Sequence, residues 1–339
     1  MATVPVFVGL DYHDQSVQVC VLDPQGVVLA NRSVSNDVKE IVQVVASKDR
    51  RVFAAIEACN GSADLADKLI EIGWSVDLAH PGYVARIKQN PDKSDFADAR
   101  LVGDLERVGY LPKVWLAPQA LRELRRVVRY RQQLVNERRS RKQRISALLR
   151  EQRVRSPEWM PWTIRWLDWL QKEAELSEQS RWLVQEHLDW LRQLSVKIAE
   201  VERRLRRMTA EDPLVDTLMK LKGIGLITAV TIRAEIGRFD RFRTGKQLAR
   251  FCGLSPRNAS SGQRQADAGL IKAGNPQLRM TLIEAAHRLK RFDPRWRQLA
   301  ERMRQGGKAG SVIAAAVANR WVRWLHHPMQ PLGAGGGQN

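Results

Sequence analysis

The chain has few cysteines and no long uninterrupted apolar run. These two absences argue against a disulfide-stabilised protein and against a membrane-spanning one. Its 339 residues contain three cysteines, Cys20, Cys59 and Cys252. Their spacing fits neither a zinc site nor a disulfide framework, so we expect small buried thiols in a reducing compartment. The apolar stretch at residues 311–325 is interrupted by Arg320 and Arg323, which argues against a transmembrane helix. A basic segment followed by a hydrophobic one is also missing at the start, so we expect a cytoplasmic protein without a membrane partner.

Acidic residues are scarce outside the first third of the chain. The formal net charge is +19. Residues 1–110 hold 11 Lys and Arg against 16 Asp and Glu, whereas the remainder holds 45 against 21. This asymmetry indicates an acidic first domain that works on a polyanion and a basic remainder that holds it.

A nucleotide-cofactor motif is absent as well. The turn Gly223-Ile224-Gly225 lacks the Walker lysine and the full dinucleotide fingerprint. It resembles helix-hairpin-helix elements instead, in which backbone N–H groups at a helix N-terminus meet a DNA phosphate.

The first 115 residues have the pattern of an α/β domain. Apolar strands are predicted at residues 4–11, 16–22, 27–34, 52–57 and 74–78, with helices at 37–47 and 62–72. Three antiparallel strands followed by alternating helices and strands is the order of a ribonuclease H-like fold. In that fold the first and fourth strands are neighbours in a mixed sheet.

Four carboxylates form the candidate site of this domain. Asp11 and Glu57 each end one of the two neighbouring strands and would lie side by side at one sheet edge. Asp95 and Asp98 stand three residues apart in the first turn of a predicted helix, where Cβ atoms are about 5–6 Å apart. Carboxylates this close repel each other unless a cation lies between them, as in metal sites for phosphoryl transfer. A helix start capped by Ser94 is the structural alternative for the last pair.

Two long helices are predicted in the middle of the chain, at residues 121–153 and 177–208. Between residues 121 and 155 there are 13 basic residues against 3 acidic ones, which would repel one another without a polyanion. We favour nucleic-acid backbone contact over a solvated face, with candidate contacts Arg138, Arg139, Arg141, Lys142 and Arg144. The two helices are predicted to form an antiparallel hairpin or a coiled coil that joins subunits. Between them, Trp162, Trp166 and Trp169 share a helical face, which indicates packing, with base stacking as the alternative.

The acidic segments resemble a known family. Gly9-Leu10-Asp11, Ile56-Glu57-Ala58 and Lys93-Ser94-Asp95-Phe96-Ala97-Asp98-Ala99 look like the three motif blocks of the DEDD transposases. These are insertion-sequence recombinases with a RuvC-like N-terminal domain, guided by a bridge RNA. The resemblance places the family's Mg²⁺-binding quartet on Asp11, Glu57, Asp95 and Asp98. The family has a small hydroxyl residue and glycine soon after its Glu, whereas this chain has Cys59-Asn60-Gly61, so no role is carried over to these flanking residues.

The C-terminal part resembles the second domain of the same family, the transposase 20-type domain. The relevant segments are Gly253-Leu254-Ser255-Pro256 and Ser260-Ser261-Gly262. That domain carries a nucleophilic serine before glycine, which the resemblance puts on Ser261, with Ser260 as the alternative register. Cations that would hold the scissile phosphate, or equally be solvated loop cations, are Arg264, Lys272, Arg279 and Lys308.

The resemblance implies a transposase that cuts and rejoins DNA through a phosphoserine–DNA link. Four regions are expected: a RuvC-like catalytic domain at 1–115, a basic helical coiled-coil region at 116–212, a mainly helical serine domain at 213–328 and a disordered Gly/Pro-rich tail at 329–339. Implied partners are donor and target DNA, a noncoding bridge RNA and further copies of the chain in a dimer or tetramer, in a bacterial cytoplasm at the nucleoid. Two alternatives stay open: a RuvC-like junction nuclease in which water attacks, and a non-catalytic nucleic-acid-binding scaffold.

Overall fold

The computed structural model describes residues 4–46, 50–88, 94–258, 267–271 and 274–333. It divides into two compact units, unit 1 (Met1–Ala117) and unit 2 (Pro118–Asn339). Within the described residues, no helix combines the length and the apolar character needed to cross a membrane.

Unit 1 is a mixed α/β structure. In chain order its elements are β1 (Val6–Tyr12), β2 (Ser16–Leu22), β3 (Val28–Ser35), α1 (Val38–Val45), β4 (Val52–Glu57), α2 (Ser62–Glu71), β5 (Ser75–Ala79), α3 (Pro81–Ile87), α4 (Asp95–Arg107) and β6 (Lys113–Val114). The predicted strands are confirmed to within two residues at each end. The short strand β6 and helix α3 were not predicted from the sequence.

The strands form one six-stranded sheet in the order β3-β2-β1-β4-β5-β6. Strand β1 is antiparallel to β2 and parallel to β4, with Leu10 opposite Ile56. The mixed sheet and the β1–β4 neighbourhood are therefore confirmed, and the architecture is consistent with a ribonuclease H-like transposase domain.

Alternation along β1 assigns its two faces to different helices. Val8 and Leu10 are fully buried in a cluster that also contains Ile41 of α1 and Leu69 of α2. The other face carries Gly9, over which α4 packs. Helices therefore cover both faces of the sheet, and residue parity decides which helix each β1 side chain meets.

Helix α4 lies against β1 backbone to backbone, and two glycines make this possible. A Cβ atom on Gly9 would lie 1.8 Å from the carbonyl oxygen of Ala99 and 2.5 Å from the amide nitrogen of Gly103. A Cβ on Gly103 would in turn lie 2.8 Å from the amide nitrogen of Gly9. This close approach fixes the first turn of α4 beside the end of β1.

Gly9→Ala is expected to destabilise unit 1 by about 3 kcal/mol or more, because the new methyl group collides with backbone atoms that cannot rotate away. Urea unfolding of the full chain, with hydrogen exchange read at β1 and α4, measures this. Gly82→Ala is the matched control: it lies inside α3, its nearest neighbour would be His80 at 3.4 Å, and we expect a change within about 1 kcal/mol. Equal stability of the two variants would contradict the backbone contact.

Unit 2 is mainly helical. Its elements are α5 (Gln119–Glu151), α6 (Ile164–Lys172), α7 (Glu178–Met208), α8 (Pro213–Met219), α9 (Leu226–Ile236), α10 (Gly245–Phe251), β7 (Pro256–Asn258), β8 (Asp267–Leu270), α11 (Pro276–Phe292), α12 (Pro294–Gln305) and α13 (Gly310–Gly333). Strands β7 and β8 pair antiparallel and were not predicted.

Helices α5 and α7 pack against each other in antiparallel directions. In the first half of α5, Arg131 forms an ion pair with Glu202, near the end of α7, at 2.6 Å. At the end of α5, Leu149 shares a cluster with Val184 from the start of α7. An intrachain helical hairpin is thus present, and a subunit-joining coiled coil stays a prediction. Near-heptad spacing in α5 would place Val135 in the hairpin interface, but Leu134 is the buried residue there and Val135 is half-buried.

The tryptophans close one end of this hairpin. Trp166 and Trp169 are 2% and 8% exposed in the cluster that contains Leu149. The packing interpretation of these two residues is therefore the one the structure supports.

The last helix extends beyond its predicted end. We expected disorder from Met329, but α13 continues through Gly333 and Met329 is fully buried. Burial of the Met329 side chain stabilises the last turns of α13, although the Gly/Pro-rich composition disfavours a helix there. Residues 334–339 lie outside the described residues.

Candidate active site

The two strand-end acids lie next to each other in the sheet. Because Leu10 is opposite Ile56 in the parallel β1–β4 pair, Asp11 and Glu57 follow at the same edge. Both side chains belong to half-buried residues at the carboxyl ends of their strands. This edge is where open α/β sheets place their functional groups.

Asp95 joins Asp11 through a residue that the sequence reasoning missed. The Nε2 atom of His13 lies 3.5 Å from Oδ2 of Asp11 and 3.4 Å from Oδ2 of Asp95. Among the described residues, these three side chains each place a ligand atom within 4.8 Å of the others. The only available signal was an isolated histidine two residues after a strand-end aspartate.

Two amide side chains tie the first turn of α4 to the sheet. Gln18, opposite Asp11 in the β1–β2 pair, donates to Asn31 at 2.6 Å. Asn31 then donates to the carbonyl oxygen of Phe96 at 3.0 Å. This chain of hydrogen bonds holds the acidic turn at the end of β1.

Capping does not explain the acids of this turn. Ser94 occupies the N-cap position of α4, as the structural alternative required, but its side chain makes no cap hydrogen bond. The positive end of the helix dipole still favours the carboxylates of Asp95 and Asp98.

Asp98 forms an ion pair with a lysine. Nζ of Lys88, at the end of α3, lies 2.5 Å from Oδ1 of Asp98. The side chains are 22% and 21% exposed, so this pair is largely shielded from solvent.

The geometry around His13 fits a divalent metal ion. Its Nε2 atom is buried and forms no hydrogen bond among the described residues, although two carboxylate oxygens flank it. Ligand atoms about 2.1 Å from a shared ion lie roughly 3.0–3.4 Å apart. A separation of 3.4–3.5 Å suits ligands around an ion better than a hydrogen bond, whose usual length is shorter.

Cys59 departs from the expected burial of the three thiols. We expected three buried thiols, and Cys20 and Cys252 are buried, but Cys59 is exposed in the turn after β4. Partial desolvation of the sulfur raises the pKa of the Cys59 thiol, and the charges of Glu57 and Asp11 raise it further. The group is therefore protonated at neutral pH.

Comparison with known proteins gives the family. A DEDD transposase model of the IS110 type matches residues 8–153, and a model described as "Transposase IS116/IS110/IS902 family" matches residues 215–301. The chain belongs to the IS110-type DEDD transposases. The first match contains all four acids of the predicted quartet, and the second contains the predicted serine loop.

Full-length relatives agree with this assignment. The chain is 29% identical to a "Probable family 20 transposase" of Pseudomonas aeruginosa, over 94% of this chain and 95% of the relative. It is 27% identical to the transposase of insertion sequence element IS1328 from Yersinia enterocolitica, over 80% and 81%. The transposase of IS1111A from Coxiella burnetii is 25% identical, over 93% and 88%. The chain is therefore an enzyme that cleaves and rejoins DNA, and DNA is its partner.

The predicted serine loop falls mostly outside the described residues of this transposase. Ser260, Ser261, Arg264 and Lys272 all lie outside them. Of the other two predicted phosphate contacts, Arg279 is half-buried and donates to the carbonyl oxygen of Ile271 at 3.3 Å, whereas Lys308 is exposed between α12 and α13.

The five cations of the basic segment of α5 differ in exposure, whereas the sequence predicted contact with nucleic acid for all of them. Arg139 and Arg144 are exposed, but Arg138, Arg141 and Lys142 are half-buried. Arg141 lies over the ring of Trp190 at 5.1 Å and Lys142 over Trp162 at 4.6 Å. Burial, followed by the charge of Arg138, lowers the pKa of Lys142. Two of the five candidate contacts therefore also stabilise the hairpin.

A basic groove lies at the opposite end of the hairpin, and the sequence reasoning did not single it out. It is a cleft of about 1090 Å³ between α5 and α7. Six of its ten lining residues are cations: Arg126, Lys197, Arg203, Arg204, Arg206 and Arg207. Its one acid, Glu200, pairs with Lys197 at 3.1 Å. The doubled arginines near the end of α7 were the signal that could have found it.

Proposed function

We propose that this transposase exchanges DNA strands with two groups of catalytic residues, one from each unit. In unit 1 the quartet Asp11, Glu57, Asp95 and Asp98 binds Mg²⁺ with the help of His13. In unit 2 the nucleophile is Ser261. The observation that carries the first half is the buried Nε2 atom of His13 between two carboxylate oxygens. The carboxylate ligands would suit Mn²⁺ as well as Mg²⁺.

The metal, when bound, would neutralise charge on the scissile phosphate and position it. The hydroxyl oxygen of Ser261 attacks phosphorus, and the bond from phosphorus to the deoxyribose oxygen of the leaving strand breaks. A serine hydroxyl is a poor nucleophile at neutral pH, so its proton must pass to a base, and either the metal or a neighbouring carboxylate would activate it. The leaving oxygen takes up a proton and becomes a free hydroxyl.

Rejoining reverses these steps with a different strand. A hydroxyl of the incoming strand attacks the phosphoserine, its proton is removed, and Ser261 leaves with a proton restored. The phosphoester bond energy is conserved in the covalent intermediate, so no nucleotide cofactor is needed.

The basic surfaces of unit 2 are proposed to hold the polynucleotides. Exposed Arg139 and Arg144 and the basic groove of α5 and α7 would contact phosphate groups of a bridge RNA and of donor and target DNA. The predicted regions 1–115, 116–212 and 213–328 would act as catalytic, RNA-binding and serine domains in a dimer or tetramer, in the cytoplasm at the nucleoid.

Removal of divalent metal tests the proposal. With the noncoding RNA that flanks the gene and a DNA carrying the joined element ends, EDTA is expected to abolish strand cleavage, and added Mg²⁺ to restore it. Nucleic-acid binding should persist in EDTA because it depends on the cations of unit 2. Cleavage at full rate in EDTA would overturn the metal half of the mechanism.

A further inference from the structure

Lys88 differs from the other lysines of unit 1 whose ion pairs the structure describes. Lys68 and Lys113 keep 57% and 48% of their side chains exposed in their pairs. Lys88 is only 22% exposed, and its ammonium group is 2.5 Å from the Asp98 carboxylate. An ion pair this shielded exchanges with solvent ions at a larger cost than a surface pair.

The position of this pair matters because Asp98 is the quartet member that the lysine neutralises. Asp11, His13 and Asp95 place their ligand atoms together, and Asp98 is not part of that group among the described residues. Its Oδ1 atom already binds a cation, the Lys88 ammonium. A divalent ion bound to the Asp98 carboxylate would lie close to this ammonium group, and the two cations would repel each other.

We infer that Lys88 is the resident counter-cation of Asp98, and that its ammonium competes with divalent metal for this carboxylate. The inference rests on the proposed metal site and adds a residue that limits metal binding there. Metal can reach Asp11, His13 and Asp95 directly, but the Lys88 ammonium weakens its binding to Asp98 as long as the ion pair persists. The lysine thereby stabilises the metal-free protein, in which four acids would otherwise repel one another, and lowers the affinity for the metal.

The test measures Mn²⁺ binding to the full-length protein without nucleic acid, by calorimetry and by electron paramagnetic resonance. Lys88→Gln is expected to raise the Mn²⁺ affinity by at least about tenfold, because the competing charge is gone. Lys88→Arg should stay within about twofold of the unmodified protein. Lys113→Gln, which removes the same charge from a pair with Asp77 and Glu106, should bind Mn²⁺ as the unmodified protein does.

Thermal unfolding gives a second readout that also detects misfolding. Without metal, Lys88→Gln should melt below the unmodified protein, and Mn²⁺ should raise its melting temperature by more. A purely structural lysine predicts the opposite for the metal, since a distorted site binds less well. Unchanged or weaker Mn²⁺ binding in Lys88→Gln, or an equal rise in Lys113→Gln, would overturn the inference.

Asp11→Asn separates this inference from the proposed function. If the unmodified protein binds Mn²⁺ and Asp11→Asn does not, the metal site stands whatever Lys88→Gln shows. If neither the unmodified protein nor Lys88→Gln binds Mn²⁺, the metal site fails and the inference fails with it.

Discussion

Asp11→Asn is expected to slow DNA strand cleavage by at least about a thousandfold while leaving nucleic-acid binding intact. A loss of that size corresponds to about 4 kcal/mol of transition-state stabilisation, a reasonable share for a ligand of a catalytic metal ion. The substitution keeps the shape of the side chain but removes the charge that faces His13. Binding should persist because the basic residues of unit 2 lie on a separate unit.

Single-turnover cleavage of labelled DNA, in the presence of the proposed noncoding RNA, measures the rate, and filter binding measures the affinity. Asp14→Asn is the matched control, since it removes the same charge three residues further on, at an exposed position between β1 and β2. It should cleave at a normal rate. Cleavage that is unaffected by Asp11→Asn would favour a scaffold over a metal enzyme, whereas loss of binding would mean that the substitution disrupts the fold.

Ser261→Ala is expected to abolish the covalent protein–DNA adduct and to lower strand cleavage by at least about 10⁴-fold. Removing the attacking oxygen eliminates the phosphoserine step, and residual activity would come only from binding and positioning. The adduct is measured on denaturing gels, where a phosphoserine link survives and a non-covalent complex does not. Ser261 lies outside the described residues, so this prediction rests on its place in the matched family domain.

Ser260→Ala is the control and also tests the alternative register. If the adduct disappears in Ser260→Ala and persists in Ser261→Ala, the nucleophile is the earlier serine. Cleavage without any adduct in the unmodified protein would identify water as the nucleophile, as in a RuvC-like junction nuclease. The three outcomes are distinct, and each assigns the attacking oxygen to a different group.

Much of unit 1 was predictable because strand patterns are local. Short apolar runs separated by turns gave the five longer strands, and their order with the helices gave the β1–β4 neighbourhood. Once these strands are parallel neighbours, Asp11 and Glu57 must meet at one edge. The spacing of Asp95 and Asp98 likewise sets their separation on α4 whatever surrounds the helix.

Other features depended on contacts between distant segments. His13 carries no pattern of its own, and it enters the site only because Gly9 and Gly103 let α4 pack directly on β1. No sequence pattern distinguishes Lys88 from other lysines, and only its position at the end of α3 brings it to Asp98. In unit 2, Lys142 and Arg144 belong to the same basic segment of the sequence. Tertiary packing leaves Arg144 exposed but places Lys142 over the ring of Trp162.

The sequence by itself determined the family motifs, the mixed α/β first unit and the basic helices, and it predicted the four acids, because each depends on residue type and short-range spacing. Tertiary structure decided which groups stand beside those acids and which cations face solvent. Those features depend on backbone approach and side-chain burial between segments far apart in the chain. For that reason the sequence predicted a quartet of carboxylates, whereas the fold added a histidine between two of them and a lysine on a third.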